Sequence, residues 1–176
     1  MLRIAEGVRR EGVARYPQRR VGIVYDRRAV PVPEVPAESL SFWCCDADAL
    51  PFPAGAFAGG LSLNVLDCVR SPLGHLMELG RVLAPGAPVL LSTPYDWSPT
   101  ATALPDWIGG HSQRGPDGGD SAAELRRILS PEAAAGIDTG LVIAAERDGV
   151  AWRVRANERS QVDYALHLLC LRRRTG

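Results

Sequence analysis

The 176-residue chain contains no lysine: all 20 of its basic residues are arginine. That absence excludes a lysine Schiff base and the lysine of a phosphate-binding loop. All-arginine usage reads as the base composition of a GC-rich bacterial genome rather than as recognition chemistry. Net charge is missing too, because 20 acids match the 20 arginines. A chain with no basic excess is not a general binder of nucleic acid or of anionic membranes. No apolar run approaches the roughly 20 residues of a membrane-crossing helix. The first seven residues lack the apolar stretch of a secretory signal. Cys44, Cys45, Cys68 and Cys170 form no C-x-x-C pair. No metal site or redox motif is therefore expected, and the cysteines read as buried, reduced thiols of a cytoplasmic protein.

What is present is ordinary. Hydrophobic residues make up 46% and charged residues 23%, the composition of one soluble domain spanning 1–176. No repeat or long linker divides it. A helix is expected over 2–14, with Leu2, Ala5 and Val8 on one side. The apolar run 21–25 reads as a buried strand ending at Asp26. Three prolines between 31 and 36 prevent helix there and predict an exposed extended loop. Further strands are expected at 40–45, ending at Asp46, at 60–66, and at 89–93. Ser71 and Pro72 signal a helix start, and Leu73, Leu76, Met77, Val82 and Leu83 follow at helical spacing. A long loop over 95–120 is functional or mobile by its length. The sequence Ser121-Ala122-Ala123-Glu124 reads as a capping box that opens another helix. Runs near 141–145 and 161–171 are expected to pair antiparallel.

This order of elements gives an α/β fold, a mostly parallel sheet with an antiparallel C-terminal strand pair. Ligands of such sheets sit beyond the carboxyl ends of the strands. Asp26, Asp46, Asn64 and the stretch Thr93-Pro94-Tyr95-Asp96 stand at those ends.

The stretch Asp46-Ala47-Asp48-Ala49-Leu50-Pro51-Phe52-Pro53, then Phe57, then Glu78 with Arg81-Val82-Leu83-Ala84-Pro85-Gly86, resembles the class I S-adenosylmethionine-dependent methyltransferases, in the subgroup called type 11. The resemblance runs from about residue 15 to the C-terminus. It implies a Rossmann-like sheet, S-adenosyl-L-methionine as methyl donor, and a small-molecule methyl acceptor. By the same resemblance Asp26 accepts from the ribose hydroxyls and Asp46 from the adenine amino group. Ala47 offers its backbone N–H to an adenine ring nitrogen, and Asn64 meets the methionine end. Carboxylates suit hydroxyl and amino donors because, when ionised, they only accept. Methyl transfer depends mainly on positioning and desolvation, with a general base needed for a protonated acceptor. Tyr95, Asp96 and His111 are the candidate catalytic residues, and Tyr95, Trp97 and Trp107 could wall a cationic centre.

The chain departs from the family's pattern at its start. The first strand and its G-x-G-x-G turn are missing, and only Gly7 and Gly12 stand nearby at the wrong spacing. The helix over 2–14 would match the one that follows that turn, so the domain is expected to be N-terminally truncated. Its exposed sheet edges then invite self-association. Ala58 stands where the family has aspartate, and Ala87 replaces the second glycine after Pro85. The alternative to an enzyme is a non-catalytic methyltransferase-like remnant serving as a binding or interaction module. A nicotinamide-dependent enzyme would also need a glycine fingerprint.

Overall fold

Residues 2–33, 36–131 and 137–175 are described by the structure, a computed structural model. The chain divides into two units, Met1–Cys45 with Arg153–Asp163, and Asp46–Trp152 with Tyr164–Gly176.

The first unit holds α1 (Leu2–Glu11) and the antiparallel strands β1 (Val13–Val21) and β2 (Val24–Pro31). Helix α1 ends where Gly12 takes a φ of 66° and returns its N–H to the Val8 carbonyl at 2.9 Å, a left-handed cap that glycine adopts without penalty. The expected strand over 21–25 is instead the hairpin's tip. Val21 pairs with Val24 across Gly22 and Ile23, and Gly22 has a φ of 54°, the glycine-first geometry of a tight hairpin turn. Ile23 is 93% exposed. Asp26 therefore lies in mid-strand opposite Gln18, not at a strand end. No strand forms over 40–45, and these residues are exposed. The expected buried thiols follow the same correction, since Cys44, Cys45 and Cys68 are exposed and Cys170 is half-buried. Of the expected proline loop, residues 34 and 35 lie outside the described residues. Arg20 pairs with Asp26, and Arg20 also accepts at its carbonyl from the Glu158 amide, 3.1 Å away.

The second unit carries a four-stranded sheet with the order β3–β4–β6–β5. Its strands are β3 (Gly60–Leu63), β4 (Pro88–Thr93), β5 (Leu141–Arg155) and β6 (Gln161–Arg173), the outer parts of β5 and β6 reaching into the first unit. The sheet is mixed: β3 and β4 run parallel, and β4 and β6 antiparallel. Only five residues join β5 to β6, which dictates an antiparallel hairpin. Strand β3 stops at Leu63, three residues before the expected end.

Helix α2 (Pro72–Val82) connects β3 to β4. The Ser71 hydroxyl accepts from the Gly74 amide and Pro72 fills the first turn, as the sequence signals. Helix α3 (Ser121–Ile128) starts one residue differently from the expected capping box. Asp120 is the cap, its side chain accepting from the Ala123 amide at 2.9 Å. The core lies between these helices and one sheet face. Leu66, Leu76, Leu91, Leu125, Leu169 and Leu171 have essentially no exposure there, and each such side chain stabilises the fold by roughly 1.5–3 kcal/mol. Gly80 allows the close approach of α2 to the chain ahead of β5, because a Cβ there would stand 1.8 Å from the Thr139 carbonyl oxygen. No helix among the described residues is long and apolar enough to cross a membrane.

Candidate functional site

Residues Asp46–Ala49 form a tight turn in the second unit. Asp46 Oδ1 accepts from the Asp48 amide at 3.0 Å, and the Ala49 amide reaches the Asp46 carbonyl at 3.2 Å. Such a bond from aspartate to its own backbone two residues on is the usual device for closing a turn. Helix α2 fixes the turn from below. Asp48 Oδ2 accepts from the Ser71 amide at 3.0 Å. His75, 5% exposed, lies 3.1 Å from the Ala47 carbonyl through Nδ1 and 2.9 Å from Ser62 Oγ through Nε2. A carbonyl only accepts, so Nδ1 carries the proton, and in the neutral ring Ser62 donates to Nε2.

Glu78 and Arg81 clamp the segment that follows. The Leu50 amide donates to Glu78 Oε2 at 2.8 Å. Arg81 donates to the Phe52 carbonyl at 2.7 Å and the Leu50 carbonyl at 2.9 Å, while its Nε holds Glu78 at 2.7 Å. The Arg81 hydrogen bonds hold the Glu78 carboxyl below the ordinary glutamate value despite burial. Four of the sequence's motif residues, Leu50, Phe52, Glu78 and Arg81, are thereby explained as the frame that presents Asp46 and Ala47. Asp46 keeps 57% of its side chain exposed, with Arg70 4.0 Å from Oδ2. Asp48 Oδ1 is buried without a hydrogen-bond partner.

The carboxyl ends of β3 and β4 bring Asn64, Thr93, Tyr95 and Asp96 together. Asn64 has a φ of 56°, a conformation asparagine tolerates better than most residues. Its amide donates to the Ser92 carbonyl and its Oδ1 accepts from Ser92 Oγ, both at 2.8 Å. Asp67, 2% exposed, organises the neighbouring end. It accepts from the Asp96 amide at 2.9 Å and from Thr93 Oγ1 at 3.4 Å, and Thr93 Oγ1 accepts from the Tyr95 amide. Tyr164 donates to Asp96 Oδ2 at 3.2 Å.

Tyr95 then begins a buried chain that no sequence spacing announced. Its hydroxyl is 2.7 Å from His167 Nδ1 on β6. His167 is 1% exposed, and its Nε2 lies 2.9 Å from Glu146 Oε2 on β5. Arg126 of α3 donates to both Glu146 oxygens at 2.9 and 3.0 Å. Burial pushes the Glu146 carboxyl up, but hydrogen bonds from Arg126 and His167 outweigh it and hold the group below its ordinary value. Burial pushes the Tyr95 hydroxyl well above the ordinary tyrosine range.

Of the other sequence candidates, Trp97 lies beside Tyr95, ring centroids 6.5 Å apart, so that Tyr95, Trp97 and Trp107 form one aromatic row, while His111 and Asp26 lie elsewhere. Trp97 and Trp107 are stacked with centroids 5.9 Å apart, and their indole N–H groups donate to Ser121 Oγ and the Thr102 carbonyl. His111 is exposed on the loop, with Nδ1 3.2 Å from the Gly109 carbonyl. Asp26 is engaged within the first unit's hairpin, where Arg20 meets both its oxygens and Arg28 stands 3.9 Å away.

Residues 10–91 match the family model of a methyltransferase domain. None of the curated proteins matches the sequence. Among solved structures, a S-adenosylmethionine-dependent methyltransferase from Methanosarcina mazei is similar at 18% identity and TM-score 0.46, over 74% of this chain and 66% of that one. The [4+2]-cyclase SpnF is similar at 16% identity and TM-score 0.47, over 80% and 58%. A protein from echinomycin biosynthesis, described by conversion of a disulfide bond into a thioacetal group, is similar at 21% identity and TM-score 0.50, over 78% and 58%. The chain thus spans less than two thirds of each of these structures, and the likeness is one of fold.

Proposed function

We infer, from this chain's membership of the class I methyltransferase family, carried by residues 10–91, that it uses S-adenosyl-L-methionine to methylate a small-molecule acceptor. The single observation that supports this best is the Asp46–Ala47 turn, clamped by Glu78, Arg81 and His75 beside the parallel pair β3–β4. One Asp46 oxygen closes the turn while most of the side chain stays exposed. Asp46 therefore fits an amino donor on an adenine edge, with the Ala47 amide beside it. Asn64 commits its carboxamide oxygen to Ser92, so Nδ2 is the end it would turn to the methionine portion. When bound, S-adenosyl-L-methionine supplies an electrophilic methyl group. The protein's residues would orient it, exclude water and manage the acceptor's proton.

Charge supports a small acceptor. The second unit carries 13 acids against 9 arginines, a net −4, which repels polyphosphate. A cytoplasmic setting suits the same reading. Self-association belongs to it too, because β3 is an outer strand with Leu61 72% and Leu63 50% exposed.

A second reading, a methyltransferase-like binding module without catalysis, is favoured by one observation. Asp26 lies in mid-strand with arginines on its carboxylate and supplies no strand-end acid for a ribose. Titration calorimetry with S-adenosyl-L-methionine separates the two. The enzyme reading expects saturable heat, and its absence at about millimolar cofactor, a binding free energy near −4 kcal/mol, leaves the module.

A further inference from the structure

We propose that Tyr95 receives the proton released by a methylated acceptor and passes its own to His167, with Glu146 stabilising the imidazolium that results. The proposal rests on the methyltransferase reading above. Its basis is that the geometry fixes every proton in the chain. Arg126 donates to both Glu146 oxygens at 2.9 and 3.0 Å, an ion pair that favours the carboxylate, and an ionised carboxylate can only accept. His167 Nε2, 2.9 Å away, must therefore carry a proton and donate it. In the neutral ring Nδ1 is then bare, so the 2.7 Å contact is the Tyr95 hydroxyl donating to Nδ1. The Tyr95 oxygen keeps lone pairs for an incoming proton. Tyr95 stands directly beyond β4, with a φ of 55° and its amide tied to Thr93, on the side of the sheet where ligands of such folds bind.

The step balances. An acceptor N–H or O–H bond breaks and that proton bonds to the Tyr95 oxygen. The former Tyr95 proton bonds to His167 Nδ1. Tyr95 ends as it began, and His167 gains one proton and one positive charge. Glu146 faces that charge across Nε2 and is 34% exposed, which gives the proton a route to water.

A histidine serving only as core packing needs partners in one protonation state. His167 has them in both. Neutral, it accepts from Tyr95 and donates to Glu146; protonated, it donates to both. Its charged surroundings are Glu146 on β5, with Arg126 of α3 beyond it, while Thr93 lies opposite on β4. Asp120 and Asp148 complete the charges acting on Tyr95. Tyr95 is thus the catalytic residue, and His167 and Glu146 are positioning residues that act through it.

Nitrogen-15 NMR of the imidazole rings in the intact protein tests this without any acceptor. The expected result is an Nε2–H tautomer for His167 at neutral pH, followed by reversible protonation while circular dichroism shows the fold intact. Glu146→Gln removes the ionised acceptor at Nε2 and should weaken the preference for the Nε2–H tautomer, whereas Tyr95→Phe, which leaves Glu146 in place, should keep it. An Nδ1–H tautomer, or a ring that protonates only as the protein unfolds, would overturn the relay. Calorimetry with S-adenosyl-L-methionine on the same samples keeps the two ideas distinct. Binding with the wrong tautomer defeats the relay alone, whereas no binding defeats the methyltransferase reading and the relay with it.

Discussion

The two units differ in what holds them together. Every fully buried apolar side chain among the described residues belongs to the second unit, from Leu66 to Leu171. The first has none, and its hairpin exposes most residues on both faces. It relies on backbone pairing, a glycine turn and exposed ion pairs such as Arg20–Asp26 and Arg15–Glu11. Charge divides along the same line. The first unit has 11 arginines against 7 acids, a net +4, and the second the opposite balance. A neutral total therefore hides a polarised chain. The difference teaches that the Asp46–Phe52 motif lies where helix α2 and a core hold it still, whereas Asp26 stands in a hairpin without a core, held by arginines.

The sharpest way to break this contrast is to cut into each unit. Leu169→Ala should lower stability by about 2–5 kcal/mol, the usual cost of emptying a leucine site in a core. Ile23→Ala, at the 93% exposed hairpin tip, should stay within about 0.5 kcal/mol. Denaturant unfolding followed by circular dichroism reads both, and equal losses would erase the distinction. Next in size comes Arg81→Met. It leaves the Leu50 and Phe52 carbonyls and Glu78 without their partner, a loss of about 1–3 kcal/mol. Asp120→Ala should cost about 1 kcal/mol as a lost helix cap; no effect would return the cap to Ser121.

Acid should act on the second unit through Glu78 and Glu146. Both are held below the ordinary glutamate value of 4.5. A lowered carboxyl contributes stability that is complete above its unfolded value and is lost as pH falls through the folded one. Stability should therefore decline below about pH 4.5, and Glu78→Gln should flatten that decline. The smallest effect expected is that of salt on the hairpin. Its ion pairs are exposed, and at about 1 M salt the screening length is only ~3 Å. Limited proteolysis within residues 13–31 should rise slightly with salt, while cleavage in the second unit should not.

Much of the second unit was legible in the sequence because its signals are local. Ser71-Pro72 start a helix by satisfying and omitting end donors, and Pro85-Gly86 make the turn between that helix and β4, with Gly86 at a φ of 78°. The Asp46–Phe52 stretch was legible as a motif, though the clamp by Glu78 and Arg81 appears only in three dimensions. The first unit misled because hydrophobicity alone marked 21–25 as a buried strand. Gly22 in the middle of that run was the turn signal that should have outweighed it. The run 40–45 is apolar and exposed, and no pattern of period two supported it. Asp67, Glu146 and His167 were invisible for another reason. Pairings over 21 to 72 residues, such as His167 with Glu146 and with Tyr95, are set by the packing of strands and helices and leave no spacing to read.

Under the proposed function, the cofactor would bind on the second unit around Asp46 and not on Asp26. Titration calorimetry with S-adenosyl-L-methionine on the wild-type chain, Asp46→Asn and Asp26→Asn tests it directly. Asp46→Asn should weaken binding by about tenfold or more, as expected for losing a hydrogen bond to a charged group worth ~1.5–3 kcal/mol. Asp26→Asn should leave the affinity within about twofold, or ~0.4 kcal/mol. The opposite order, with Asp26→Asn abolishing binding and Asp46→Asn leaving it intact, would place the cofactor on the first unit's hairpin instead.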